Sequence, residues 1–316
     1  MGAYLLKRAA VLSATLLAAS LVIFLTIEVI PGDPASLMLG INAQPDTVAA
    51  LRAELGLDRA VHWRYFSWIT GMVQGDFGTS FAYRTPVLEL MTERLIVSLP
   101  LAIMALCLAI LLALPLGIMA AASKNRFADI MIMTGTQIGI AIPNFWFAIL
   151  LVFIFAIELG WFSAGGFPGW DGGIVPAIKA LLLPAVSLAL PQAAILARIM
   201  RGALRNELQK DYIRTARAKG LSYQQSVLYH GLRNALLPVL AIIGMQFSFL
   251  LAGAIIIENV FYLPGLGRLI FQAIAQRDLI LVESAVFLLV FAVVLVTFLM
   301  DILYVLADPR LRRGQL

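Results

Sequence analysis

The chain has 316 residues, of which 61% are apolar and 13% charged, against roughly 45–50% and about 25% in soluble domains. Water cannot solvate that much apolar surface on one folded monomer, so the composition excludes an ordinary soluble domain and points to an integral membrane protein. One cysteine, Cys107, excludes an internal disulfide or a Cys-based metal cluster, and two histidines, His62 and His230, exclude multi-His metal chemistry.

Charge is costly in hydrocarbon, and a helix needs ~20 mostly apolar residues to cross a ~30 Å core. Six gaps between charges reach or approach that length. The first, Arg8 to Glu28, encloses 19 residues. Lys7 and Arg8 could head a signal peptide, but the run is long for one and Ile30-Pro31-Gly32-Asp33-Pro34 is a poor cleavage site, so a retained span is expected. An outer segment follows, about 31–95. It predicts a short helix over 46–55, with Asp46 at its N-cap and Gly56 past its end. Trp63, Tyr65, Phe66 and Trp68 then cluster, as aromatics do at membrane interfaces. This segment reads as a lid on the outer leaflet, with a contact surface for a substrate or receptor as the sharper alternative. Thr85-Pro86 suits the start of a helix leading into the second span.

The second span lies between Arg94 and Lys124 (29 residues) and the third between Asp129 and Glu158 (28 residues). The third carries Gly135 and Gly139, a small-xxx-small face suited to close packing, and Pro143, which can kink it. The fourth, Lys179 to Arg198, encloses 18 residues with Pro184 and Pro191. The fifth, Arg233 to Glu258, encloses 24, and the sixth, Glu283 to Asp301, encloses 17. The expected fold is therefore all-α, a polytopic membrane protein with six transmembrane helices. It divides into a tail and first span (1–30), the outer segment (31–95), a membrane core (96–308) and a short tail (309–316).

Between the fourth and fifth spans lies a polar loop, about 198–238. Asp211 can cap a helix with its carboxylate, Tyr212 to Lys219 contains no breaker, and Gly220 can take the left-handed conformation that ends it. Lys219 in the last turn suits the helix dipole. Ser222 and Gln225 fit a capping box opening a second helix toward Pro238. Lys210, Arg214 and Arg217 share one face, with Ile213 and Ala216 on another. A two-turn helix is marginal alone, so this one is expected to dock on its own chain or on a partner, and a cytosolic partner is preferred over a DNA-reading helix-turn-helix.

With the N-terminus inside, the inner segments hold Lys7, Arg8, Lys124, Arg126, the seven basic residues from Arg198 to Lys219, Arg233 and three in the tail, 15 of the 23. This places both termini and the 198–238 loop in the cytoplasm. The +5 charge then reflects topology and needs no nucleic acid. No phosphate-binding G-x-x-x-x-G-K-[ST] and no G-x-S-x-G elbow is present. No Lys, Arg, Asp or Glu falls in the middle of a span, while Glu28, Glu258 and Asp301 lie at span ends where water is expected to reach them. This argues against a proton-coupled secondary transporter or a charge-selective channel, and no nucleophile–base pair at span depth supports an intramembrane enzyme.

The stretch Asp211-Tyr212-Ile213-Arg214-Thr215-Ala216-Arg217-Ala218-Lys219-Gly220-Leu221, followed by His230-Gly231-Leu232-Arg233-Asn234-Ala235-Leu236-Leu237-Pro238, resembles the cytoplasmic EAA loop of ABC importer permeases, in the form of the dipeptide and oligopeptide branch. The other matching blocks are 30–34, Gly75-Asp76-Phe77-Gly78-Thr79-Ser80, Ile142-Pro143-Asn144-Phe145-Trp146, Glu258-Asn259-Val260-Phe261, Pro264-Gly265-Leu266-Gly267, Gln276-Arg277-Asp278 and 307–310. Together they resemble the first permease type of that branch along nearly the whole chain. Against the broad EAA consensus, Arg214 stands at the Glu position and Thr215 at the first Ala, while Ala216 matches. The resemblance implies a type I ABC importer permease fold in a bacterial inner membrane. It also implies a second, similar permease, two cytosolic ATPases docked on the EAA loops and an extracytoplasmic solute-binding protein. No cofactor is implied, and the ATP chemistry would lie in the partner subunits. The coupling residues it implies are Asp211, Arg214, Thr215, Ala216, Arg217, Ala218, Lys219 and Gly220. The branch includes importers of dipeptides, oligopeptides, glutathione, opines and nickel complexes, and the permease alone does not choose among them.

Overall fold

A computed structural model describes residues 2–29, 33–40, 43–54, 56–123 and 125–307. Ile30, Pro31, Gly32, Lys124 and the tail from Asp308 onward, on which parts of the sequence reading rest, lie outside the described residues. The described residues form helices, turns and loops and no named strand. One isolated antiparallel bridge joins Thr79 and Pro86.

The long apolar helix α1 (Gly2–Val29) is followed by three short outer helices, α2 (Pro34–Leu39), α3 (Pro45–Glu54) and α4 (Val61–Val73). α2 is capped by Asp33, whose carboxylate accepts from the Ser36 amide. α3 begins at Pro45, so Asp46 sits within its first turn rather than at the N-cap. Gly56 follows with φ +66, the left-handed stop expected of it. α4 turns Arg64, Tyr65 and Trp68 inward against Phe24 of α1. It leaves Trp63 and Phe66 exposed.

α5 (Val87–Ala122) starts directly after Pro86 and runs unbroken through the second span, despite Pro100 and Pro115. α6 (Arg126–Ala141) and α7 (Asn144–Leu151, continued by a π-helical stretch Val152–Glu158) occupy the expected third span. They are not one straight rod, because the pair is bent by 98° at Ile142-Pro143. Pro143 has no N–H to continue the α6 ladder and pushes the residue before it out of the helical region. Ile142 accordingly sits at φ −83, ψ 124. Among the described residues, five helices are therefore long and apolar enough to cross a membrane alone, and the bent pair makes up to six.

α8 (Ile174–Leu208) contains both Pro184 and Pro191 without breaking. α9 (Asp211–Ala218) and α10 (Tyr223–Gln225) follow, and a π-helical turn, Ser226–Gly231, carries the chain into α11 (Leu232–Val260). α12 (Leu266–Ala275) and the long apolar α13 (Leu279–Ala307) complete the chain.

The bundle is organised around α5 and α8, its most extensive helix pair. The reason is legible in their small residues. Ala105, Ala109, Ala113 and Gly117 recur every fourth position on α5, as do Ala185, Ala189, Ala193 and Ala197 on α8, and the alanines of both rows are buried. Without large side chains between them the backbones approach closely, which is how helices associate when water exclusion drives nothing. A Cβ built on Gly117 would lie 2.7 Å from the Ala197 carbonyl oxygen. The Gly135/Gly139 pair contributes less. Gly139 faces the Ala194 methyl across the α6–α8 contact, but Gly135 faces open space.

Ion pairs brace the outside of the bundle. Arg8 on α1 pairs with Asp301 on α13 at 2.9 Å, and Arg64 on α4 with Glu28 at the end of α1 at 3.0 Å.

Candidate functional site

The loop between α8 and α11 is built as a projecting corner held from both sides. α9 opens at Asp211 itself. Lys210 is the residue at the N-cap, and no side chain caps the helix. Asp211 thus occupies the first helical position, where its carboxylate complements the helix dipole and faces Arg214 Nη1 at 3.4 Å in full exposure. The other end follows the sequence reading closely. Gly220 has φ +97. Its amide donates to the Arg217 carbonyl, and the Leu221 amide to that of Ala216. This is the two-bond Schellman stop that a left-handed residue makes possible. Immediately afterward the Gln225 amide donates to Ser222 Oγ and the Ser222 amide to Gln225 Oε1, closing the capping box.

One face of α9 is spoken for. Ile213 and Ala216 are 3% and 7% exposed, on a helix that packs toward the π-helical turn. The rest of the proposed coupling set (Asp211, Arg214, Thr215, Arg217, Ala218, Lys219 and Gly220) is exposed. Ala216 therefore anchors the helix to its own chain, and its exposed neighbours are what a partner could touch. Arg217 lies with its guanidinium 5.8 Å from the Tyr223 ring centroid. Lys210, also exposed, stands at the N-cap rather than within the helix, and its ammonium pairs with Glu207 at 2.6 Å.

The contacts that hold α9 in place join different helices, which local sequence patterning does not reveal. Tyr212 Oη donates to Glu207 Oε2 at 2.6 Å and accepts from Asn234 Nδ2 at 3.0 Å. One phenol thus joins α9 to the end of α8 and the start of α11. Burial, and then the Glu207 carboxylate, raise the Tyr212 pKa, so the phenol stays a donor at any physiological pH. One turn back along α8, Arg201 reaches Asp129 on α6 with two hydrogen bonds, at 2.5 and 2.6 Å, and Arg205 adds a third at 3.1 Å. Asp129, a span boundary by charge spacing, is in fact 6% exposed and ties α6 to α8 beside the corner.

The opposite end of the bundle holds two buried carboxylates. Glu258, expected in water, is fully buried. It accepts from Ser98 Oγ on α5 and from the Arg268 amide in the first turn of α12, while the Leu266 amide donates to the same Ser98 hydroxyl. A Cβ on Gly265 would fall 2.2 Å from the Glu258 carboxyl carbon, so glycine there makes room for the carboxylate. Asp278 likewise accepts from Ser80 Oγ, the Ala82 amide and the Leu281 amide, joining the 75–80 block to the start of α13. In both cases a carboxylate occupies a helix N-terminus, where unpaired amides and the dipole favour negative charge.

The family described as binding-protein-dependent transport system inner membrane components matches residues 113–313, and its N-terminal companion matches 1–102. A protein of Brucella abortus (strain 2308) named as a peptide transport system permease is 40% identical over 312 residues, 99% of each chain. The glutathione transport system permease protein GsiC of Salmonella typhimurium (strain LT2) is 40% identical over 309 residues, 98% of each. Among solved structures, a chain of the MetNI methionine ABC transporter in inward-facing conformations superposes with a TM-score of 0.59. It is 18% identical, over 69% of this chain and 96% of that one, a likeness of fold.

Proposed function

This chain belongs to the family of binding-protein-dependent transport system inner membrane components, and from that premise we propose that it is one of two permeases in a peptide-class ABC importer, coupled through α9 to a cytosolic ATPase. The relatives named for peptide and glutathione transport support the substrate class. The second permease, the ATPases and the extracytoplasmic binding protein are what such a subunit requires. ATP is hydrolysed by the partners, in keeping with a sequence that has no phosphate-cradling loop. The excess of Lys and Arg around 198–238 argues for a cytoplasmic loop, with both termini on the same side of an inner membrane.

The observation that carries the coupling role is the division of α9 into a buried face, Ile213 and Ala216, and an exposed one, Arg214, Thr215, Arg217 and Ala218. A mere connector would not need a two-turn helix stopped by a Schellman motif, followed by a capping box and pinned through Tyr212. Gly220→Val tests it. Its Cβ meets nothing within 4 Å, so the substitution adds no clash. It does force a β-branched residue to φ +97, costing on the order of 1–3 kcal/mol locally. Membrane abundance should stay near wild type while substrate-stimulated ATP hydrolysis and uptake fall together. Arg214→Glu, on a side chain whose only described ion pair is exposed, should weaken retention of the ATPase during purification. Normal uptake, hydrolysis and retention in both variants would reduce the corner to a connector.

A further inference from the structure

At the end of the bundle away from α9, a cavity of about 310 Å³ opens between α1, α4, the 76–78 turn and the start of α13. Two of its lining groups are buried without a hydrogen-bond partner, the acceptor Glu283 Oε1 and the donor Trp68 Nε1. The Glu28–Arg64 ion pair also faces it, and so does Arg59, which makes no ion pair among the described residues. An orphaned buried acceptor and an orphaned buried donor in one cavity each cost ~1–3 kcal/mol unless something pairs with them. The two need opposite things. The carboxylate oxygen needs an N–H or O–H donor, and the indole and Arg59 need an acceptor, best an anionic one. A zwitterion with a primary ammonium and an anionic oxygen supplies both.

The setting selects the source. The walls come from α1 and α13, peripheral helices whose apolar windows are only 11% and 22% buried within the chain. Leu21 and Leu25 on α1, and Trp63 and Phe66 on α4, are exposed beside the cavity. The cavity lies at the end of the apolar run of α1, at the level where the Glu28–Arg64 pair and the aromatics mark the membrane interface. We propose that it is a head-group site for an amine-bearing phospholipid, phosphatidylethanolamine. The ammonium would donate to Glu283, the phosphate would accept from Trp68 and Arg59, and the acyl chains would lie along the exposed side of α1. This goes beyond the transport role and stands or falls separately from it.

The choline head group is the decisive control, because its trimethylammonium carries the same charge and has no N–H to donate. The importer complex, purified with its partner subunits, is incubated with mixed micelles of phosphatidylethanolamine, phosphatidylcholine and phosphatidylglycerol of identical chains, and the retained lipid is quantified by native mass spectrometry. Wild type should retain the ethanolamine lipid about tenfold over the choline lipid, the factor that one charge-assisted hydrogen bond supplies. With uptake retained, Glu283→Gln should lower that preference severalfold, and Trp68→Phe, which removes a phosphate donor common to both lipids, should lower retention of both severalfold. Trp68→Phe keeps an aromatic ring against Phe24 and Phe287, so it decides alone if Glu283→Gln does not assemble. Equal retention of the two lipids by wild type, or retention of both unchanged in Trp68→Phe, overturns the proposal. Displacement of the bound lipid by a millimolar dipeptide also overturns it, reassigning the cavity to a soluble zwitterion.

Discussion

At the scale of single residues, the polar groups that matter are those whose surroundings invert what their position in the sequence suggests. Glu258 stands at a span end, where water is the natural expectation, yet it is sealed between Ser98 and the first turn of α12. Ser98 serves two groups at once, donating to the carboxylate and accepting from the Leu266 amide. Ser98→Ala therefore leaves a buried carboxylate oxygen and a buried amide short of a partner. It should destabilise the fold by ~1–3 kcal/mol, read as a lower unfolding midpoint of the purified importer. Ser98→Thr, which keeps the hydroxyl, should recover most of the loss. This carboxylate site was not legible in the sequence. Charge spacing locates Glu258 along a helix axis but says nothing of the glycine-lined turn, Gly265 and Gly267, that folds back over it. Gly220 and the Ser222/Gln225 box were legible, because caps and left-handed stops are decided within a few residues of chain.

At the scale of elements, local and tertiary information separate in the same way. Charge-free length found all six apolar segments, but length alone could not say that the third is broken. The break depends on one residue, Pro143, and Pro100, Pro115, Pro184 and Pro191 sit inside intact helices. The bend can be measured. Ile130 and Ile157 are exposed on either side of it, and spin labels there would stand ~40 Å apart on a straight helix. The 98° bend brings their backbones to ~26 Å at the same rise per residue. A distance distribution centred near the straight-helix value would remove the bend. The alanine rows of α5 and α8 carry the close contact, whereas the small-xxx-small pattern in the sequence points to the weaker Gly135/Gly139 pair. A glycine pair on one helix is a local pattern, whereas seven alanines and a glycine spread over two helices acquire meaning only once the helices are known to face each other. At their closest approach, Gly117→Val should drive methyl groups into the Ala197 carbonyl and the Met200 side chain. A sharp fall in membrane abundance is expected, since overpacking of a rigid contact costs ~1–3 kcal/mol or more.

At the scale of the whole molecule, the two ends differ in chemistry. One gathers arginines around Asp129 and α9, and the other gathers aromatics and buried carboxylates. In a background with the exposed Cys107 replaced by Ser, single cysteines at Gln44 and Gln224, both exposed, should react with impermeant reagents from opposite sides of the membrane. Reaction of both from the same side would overturn the six-span topology. The anchoring of α9 also has a mechanical consequence. A helix hung on a flexible tether would absorb a push by swivelling. This one is clamped by Tyr212 between two long rods, and one of those rods is braced to a third by three Arg–Asp bonds. Force applied at Arg214 or Thr215 thus has little slack to take up. It would arrive at α8 and α11 as torque on levers of 35 and 29 residues, ~50 and ~45 Å long, and the far end of α11 carries the Glu258 joint to α5 and α12. On the proposed coupling role, a small displacement at the corner would thereby be geared into a larger one at the opposite end of the bundle.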